Sequence, residues 1–154
     1  LRTDVGAPKA RVMAHALTRA VGCAVSGQCL ELGTVNARKL LKGSTLVLEL
    51  FDNTVSRALV QKTCAELGIP CVHAGTHADY SEITWDPGYR VPDDTGLDPC
   101  NYPLARNLVL LTVAALGEVV VDFLVNGVMR NLTLTLRDLC VRESPRWPPG
   151  DAAK

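Results

Sequence analysis

The sequence predicts an α/β fold: a partial, mostly parallel sheet with helices on both faces and antiparallel strands toward the C-terminus. Three observations carry this. Ser44 to Asn53 reads STLVLELFDN, an apolar run with a single Glu that suits a strand buried on both faces. Thr54 to Leu67 follows with amphipathic helical spacing, and Gly68, Ile69 and Pro70 lead into a second short apolar run, Cys71 to Gly75. Strand, helix, strand in that order is a βαβ unit, and its connection is long enough for a right-handed crossover, so the two strands should be parallel neighbours. Finally, Asn131 to Arg137 alternates, with Leu132, Leu134 and Leu136 on one side and Thr133, Thr135 and Arg137 on the other, as a half-buried antiparallel strand does.

The other elements follow in chain order. Pro8 opens a helix whose Val12, Met13, Ala16, Leu17, Ala20 and Val21 recur on one face until Gly22 stops it. Ala24 to Leu32 is a weaker strand, and Thr34 to Leu41 a short helix capped by Thr34. Ser81 to Trp85 is a further strand, with Trp85 and Tyr89 flanking an Asp86-Pro87-Gly88 turn as packing aromatics. Asp86 to Tyr102 is a loop rich in Pro, Gly and Asp, of a length usually reserved for function or mobility. Leu104 to Val125 reads as a central helix buried on most sides, ending near Gly127. Arg106, Glu118 and Asp122 interrupt it, with eleven residues between the first two, so it should fall short of a membrane span. The expected domain covers residues 1–142, and residues 143–154, with the sequence SPRWPPGDAAK after Glu143, form a disordered Pro-rich tail.

A chain of 154 residues can bury about 68 to 70% of its unfolded surface and needs no staples. Sixteen basic against sixteen acidic residues leave no net charge, which argues against a general attraction to nucleic acid or to anionic membranes. The six cysteines, Cys23, Cys29, Cys64, Cys71, Cys100 and Cys140, include no C-x-x-C pair, and most should be reduced and buried. No leader pattern opens the sequence, so the expected location is the cytoplasm. Asn131-Leu132-Thr133 matches a glycosylation acceptor by chance, inside a strand pattern.

Chemistry is expected first at Asp52, because open α/β sheets place ligands at the carboxyl ends of their strands. A carboxylate there holds a magnesium ion beside nucleotide phosphates, the hard cation preferring carboxylate and substrate oxygens. The alternative is that Asp52 or Asn53 only caps the next helix. His73, His77 and Asp79 form H-x-x-x-H-x-D, but Gly75 breaks any helix that would align the imidazoles, so hydrogen-bonded polar residues at a strand end are expected rather than a shared metal.

Val5-Gly6-Ala7-Pro8-Lys9-Ala10 opening a helix and Leu46-Val47-Leu48-Glu49-Leu50-Phe51-Asp52-Asn53 closing a strand together resemble the ThiF/MoeB/HesA family, the adenylating fold shared with ubiquitin-activating enzymes. Arg57 follows at the family's spacing, and Leu67 to Gly75 resembles its next strand. The resemblance is specific from Asp4 to about Gly75 and looser from Cys100 to Asp138.

It implies a Rossmann-like fold and an enzyme that uses ATP and magnesium to join AMP to a carboxylate, usually the C-terminal Gly of a ubiquitin-like β-grasp or sulfur-carrier protein. By motif position Lys9 would neutralise the phosphates, Asp52 hold magnesium and Asn53 shape the nucleotide pocket, while Arg57 would be a structural partner. Cys100 stands in the loop where sulfur-transferring and ubiquitin-activating relatives carry a thiol, and the following helix would lower its pKa if its amino end points at the sulfur. The family's glycine-rich phosphate loop does not occur within residues 1–154 and would precede residue 1. Glu49 replaces the Asp of many relatives, and the absence of C-x-x-C pairs implies no zinc. The expected reading is an adenylyltransferase fragment, inactive as an isolated chain: either a truncated remnant, or one half of an enzyme completed by another chain, with a homodimer or a complementing chain as the expected assembly. The alternative is an inactive pseudoenzyme or interaction module that docks a partner on the remaining sheet and the long helix.

Overall fold

The computed structural model describes residues 5–86, 88–93 and 105–144. The chain divides into two compact units, Leu1–Leu32 and Gly33–Lys154. In the first, α1 runs Lys9–Val21, as the sequence spacing requires. Pro8 is its N-cap, and Gly22 closes it in the left-handed conformation, its N–H donating to the Thr18 carbonyl at 3.0 Å. The segment expected as a weak strand, residues 24–32, joins no ladder. It is held to α1 instead, by the Val25 N–H on Thr18 Oγ1 at 3.3 Å and by Gly27, where a Cβ would collide with the Ala10 carbonyl. Of the apolar face read from the sequence, Met13, Leu17 and Val21 are exposed.

The second unit opens with α2, Ala37–Leu41. Its start is set by Asn36 rather than Thr34: the Asn36 side-chain oxygen accepts the Gly33 N–H at 2.9 Å, forming a turn ahead of the helix. Strands β1 (Val47–Glu49), β2 (Cys71–His77), β3 (Tyr80–Trp85), β4 (Asn131–Thr135) and β5 (Cys140–Ser144) form one sheet in chain order. The β1–β2 pair is parallel, joined by α3 (Thr54–Leu67), as expected of a βαβ unit. The other three pairs are antiparallel, so among the described residues the antiparallel part is the larger. Strand β5, which the sequence reading did not contain, carries Glu143 and Ser144; the rest of the expected tail lies outside the described residues.

Strand parity sorts the two faces. Val72, Ala74, Ile83, Trp85 and Leu134 point to one side, where α4 (Ala105–Asn126) packs on them with Leu116 and Val119. Leu108, Thr112, Leu116 and Val119 form the buried stripe of α4, spaced three and four residues apart. Thr112 belongs in it because its hydroxyl bonds Ser81 Oγ at 2.8 Å and the Leu108 carbonyl at 2.7 Å. Two expectations fail here. Strand β1 sits at the sheet edge and is buried on one face, with Leu48 44% exposed, rather than on both. Helix α4 is covered along one stripe only: Leu110, Val113, Val121, Leu124 and Val125 are exposed, and the helix is long and apolar enough to cross a membrane by length and composition.

Candidate functional site

The other side of the sheet is polar at its centre. Glu49 of β1 and His73 of β2 are register partners on parallel strands, so their side chains leave the same face together, beneath α3. Both are fully buried. Glu49 Oε2 lies 2.9 Å from His73 Nδ1 and 3.6 Å from Arg57 Nη1, and Glu49 Oε1 accepts the Phe51 N–H. On its far side, His73 Nε2 meets Asp86 Oδ2 at 3.2 Å. Arg57 Nη1 donates to the Tyr89 hydroxyl at 2.6 Å, and the Tyr89 ring stacks on His73 with centroids 3.7 Å apart. Gln61 Nε2 donates both to Asp86 Oδ1 at 3.0 Å and to the Tyr89 carbonyl at 2.9 Å. Gly75 leaves room for this arrangement, since a Cβ there would stand 3.0 Å from Arg57 Nη2.

Each ring nitrogen of His73 faces a carboxylate oxygen, which can only accept. A neutral imidazole donates from one nitrogen; the imidazolium satisfies both. Burial by itself pulls the His73 pKa down, but the hydrogen bonds and charges of Asp86 and Glu49 outweigh it and hold the value above that of an ordinary histidine. Because the folded pKa is raised, this stabilisation is complete below the unfolded value near about 6.5 and is lost as the pH climbs through the folded value. In chelator-treated protein the melting-temperature gap between wild type and His73→Gln should therefore be widest at mildly acidic pH and shrink as the pH rises. A gap that is constant or widens with pH would contradict the charged form.

Above this network the chain leaves β1 through Leu50 and Phe51 and turns into α3 at Asp52 and Asn53. Asn53 is the N-cap, its Oδ1 accepting the Ser56 N–H at 2.8 Å. Asp52 is exposed and touches only Asn53 Nδ2, at 3.4 Å, in the described hydrogen bonding. The capping expected of Asp52 or Asn53 thus falls to Asn53, and the Asp52 carboxylate faces solvent. Asn53→Ala should cost about 1 kcal/mol of stability, measured by chemical denaturation, since it leaves a first-turn N–H unbonded.

Of the other expected site residues, Lys9 is exposed at the start of α1 in the first unit, and Cys100 lies outside the described residues. Arg57 is the structural partner expected of it. His73 is hydrogen-bonded as expected, to Glu49 and Asp86, but from within β2 rather than at a strand end. Asp86, Gln61 and the Tyr89 stack were not anticipated, although the register of β1 on β2, followed residue by residue, pairs Glu49 with His73. Burial of the thiols also differs from expectation: among the described cysteines Cys64 and Cys71 are buried, while Cys23 and Cys29 are exposed.

The model of the ThiF family matches residues 2–120. Among solved structures, MccB of E. coli with AMPCPP and MccA has a TM-score of 0.73 at 14% identity, over 96% of this chain and 51% of MccB. MccB of E. coli with ATP has a TM-score of 0.67 at 16% identity, over 96% and 51%. PaaA has a TM-score of 0.65 at 13% identity, over 92% and 48%. At these identities the likeness is one of fold, and the chain spans about half the length of the solved structures it matches. No curated protein matches it at a significant level. With the motifs around Lys9 and Asp52 inside the matched span, and the βαβ unit and buried face built as described, the chain belongs to the ThiF family.

Proposed function

We propose that this chain serves ATP-dependent adenylylation of a carboxylate. A carboxylate oxygen of the substrate attacks the α-phosphorus of ATP, the bond to the β-phosphate breaks, and pyrophosphate leaves, giving an acyl-adenylate. The observation that carries the reading is the exposed Asp52 at the carboxyl end of β1, in a turn tied from below by the Glu49 carboxylate on the Phe51 N–H. An exposed carboxylate bonded to little else suits a hard divalent cation, and magnesium bound there would neutralise phosphate charge. Asn53 holds the turn by capping α3 and lines the nucleotide pocket beside Asp52. Lys9 supplies a point charge for the phosphates as pyrophosphate departs.

The fold shared with MccB structures that contain ATP or MccA supports a nucleotide and a polypeptide carboxylate as substrates. A ubiquitin-like or sulfur-carrier C-terminus is the proposed class, with Cys100 taking part only after adenylation. The test is pyrophosphate release and acyl-adenylate formation, followed by mass spectrometry, in protein that includes a glycine-rich phosphate loop on the same or a partner chain. Formation of the adenylate on a β-grasp C-terminus supports the reading; ATP turnover that no carboxylate stimulates opposes it.

A second reading has its own observation. The place of β1 at the end of the sheet, among the described residues, and the exposed apolar side of α4 favour docking of a second copy or of a complementing chain. A chain that binds such a partner yet forms no adenylate with it is an interaction module.

A further inference from the structure

Beside the Asp52 turn, a separate set of donors meets under α3. Cys71 and His73 leave β2 on the same face, two residues apart, and Asp86 follows the end of β3, whose Trp85 pairs with Val72. One donor atom from each, a thiol sulfur, an imidazole nitrogen and a carboxylate oxygen, lies within 4.8 Å of the other two. His73 Nε2 and Asp86 Oδ2, at 3.2 Å, are spaced like two corners of a tetrahedron around a cation about 2.0 to 2.1 Å from each. We propose that Cys71, His73 and Asp86 form a binding site for a divalent cation of the zinc class.

The surroundings are those of a supported metal site. A ligating histidine almost always donates its other ring N–H to a carboxylate or carbonyl, and Glu49 Oε2 occupies that position on Nδ1 at 2.9 Å. Gln61 holds the other oxygen of Asp86 at 3.0 Å, and the Tyr89 ring fixes the plane of His73. The donor set selects the ion: a thiolate and an imidazole favour zinc over magnesium or calcium, which prefer oxygen alone. Cys71 and His73 are buried, while Asp86 is partly exposed and borders a surface depression lined by Ala58, Gln61, Lys62 and Ala65. That side is where the cation would enter. In binding, the cation displaces the protons from the Cys71 thiol and from His73 Nε2, while Nδ1–H keeps its bond to Glu49. The absence of C-x-x-C pairs in the sequence does not bear on this site, because the sheet register assembles it.

Cobalt(II) chloride added to the metal-free full chain tests the proposal. The expected result is saturation at one equivalent, with a thiolate-to-cobalt charge-transfer band and visible bands of tetrahedral intensity, all displaced by zinc chloride. Cys71→Ser should remove the charge-transfer band, and Asp86→Asn, whose side chain is partly exposed and whose variant should fold, should weaken cobalt binding at least about tenfold. The exposed-thiol control Cys23→Ser/Cys29→Ser should change neither. No charge-transfer band at one equivalent, a band that survives Cys71→Ser, or unchanged affinity in Asp86→Asn would each overturn the site.

Discussion

Glu49→Ala should destabilise the protein by about 3 to 5 kcal/mol, the range for removing one partner from a buried ion pair. The carboxylate is inaccessible, and its removal would leave the imidazolium of His73 and the guanidinium of Arg57 facing each other across a desolvated gap. Chemical denaturation, with the midpoint and slope read separately, measures it. The Phe51 N–H also loses its acceptor, so the turn that presents Asp52 should loosen as well. Deleting both members of the pair, in Glu49→Ala/His73→Ala, should cost less than the sum of the single changes, because the second deletion removes one of the two cations that Glu49→Ala leaves facing each other. A loss below about 1 kcal/mol in Glu49→Ala would place the pair among weak surface interactions and contradict the account of the buried network.

The parts of the fold written in local sequence were legible. Helix α3 was bounded by Asn53 and Gly68, the parallel pairing of β1 with β2 followed from the strand–helix–strand order, and the alternation from Asn131 located β4, whose burial is deepest at Asn131 and Leu134. What the sequence hid was set by position in the sheet. Leu46 to Leu50 is as apolar as a two-face strand, but α4 packs over β2 to β4 rather than over β1, so Leu48, on the same side as Val72, stays 44% exposed. The apolar residues of α4 surround the whole helix, and that all-round apolarity read as a buried core; the sheet buries the stripe of Leu108, Thr112, Leu116 and Val119, with Ala115, Val120 and Phe123 partly buried beside it.

The site divided in the same way. Asp52 and Asn53 stand at a strand end before a helix, which is a local signal, and the helix cap it allows is Asn53. The Glu49–His73–Asp86 chain carries no such signal, because it depends on a register between strands 24 residues apart and on a turn after β3. Glu49 stood out only as a departure from a family pattern. Its role became visible when strand parity put it under α3 with Arg57.

Asp52→Ala should reduce adenylation about a hundredfold, as should Lys9→Ala, with stability nearly unchanged in both. The two side chains are exposed, so neither contributes much to packing. Each is proposed to act on charge that develops as the phosphoanhydride breaks, and losing one such preorganised group costs on the order of 3 kcal/mol in the transition state. Cys100→Ser should leave this step intact, since the thiol is proposed to act only on the finished adenylate. The decisive measurement is ATP–pyrophosphate exchange driven by the carboxylate substrate, in protein that includes the phosphate loop, comparing wild type with Asp52→Ala, Lys9→Ala and Cys100→Ser. Adenylation at this site predicts exchange nearly abolished in the first two variants and retained in the third; exchange at the wild-type rate in both Asp52→Ala and Lys9→Ala would contradict it.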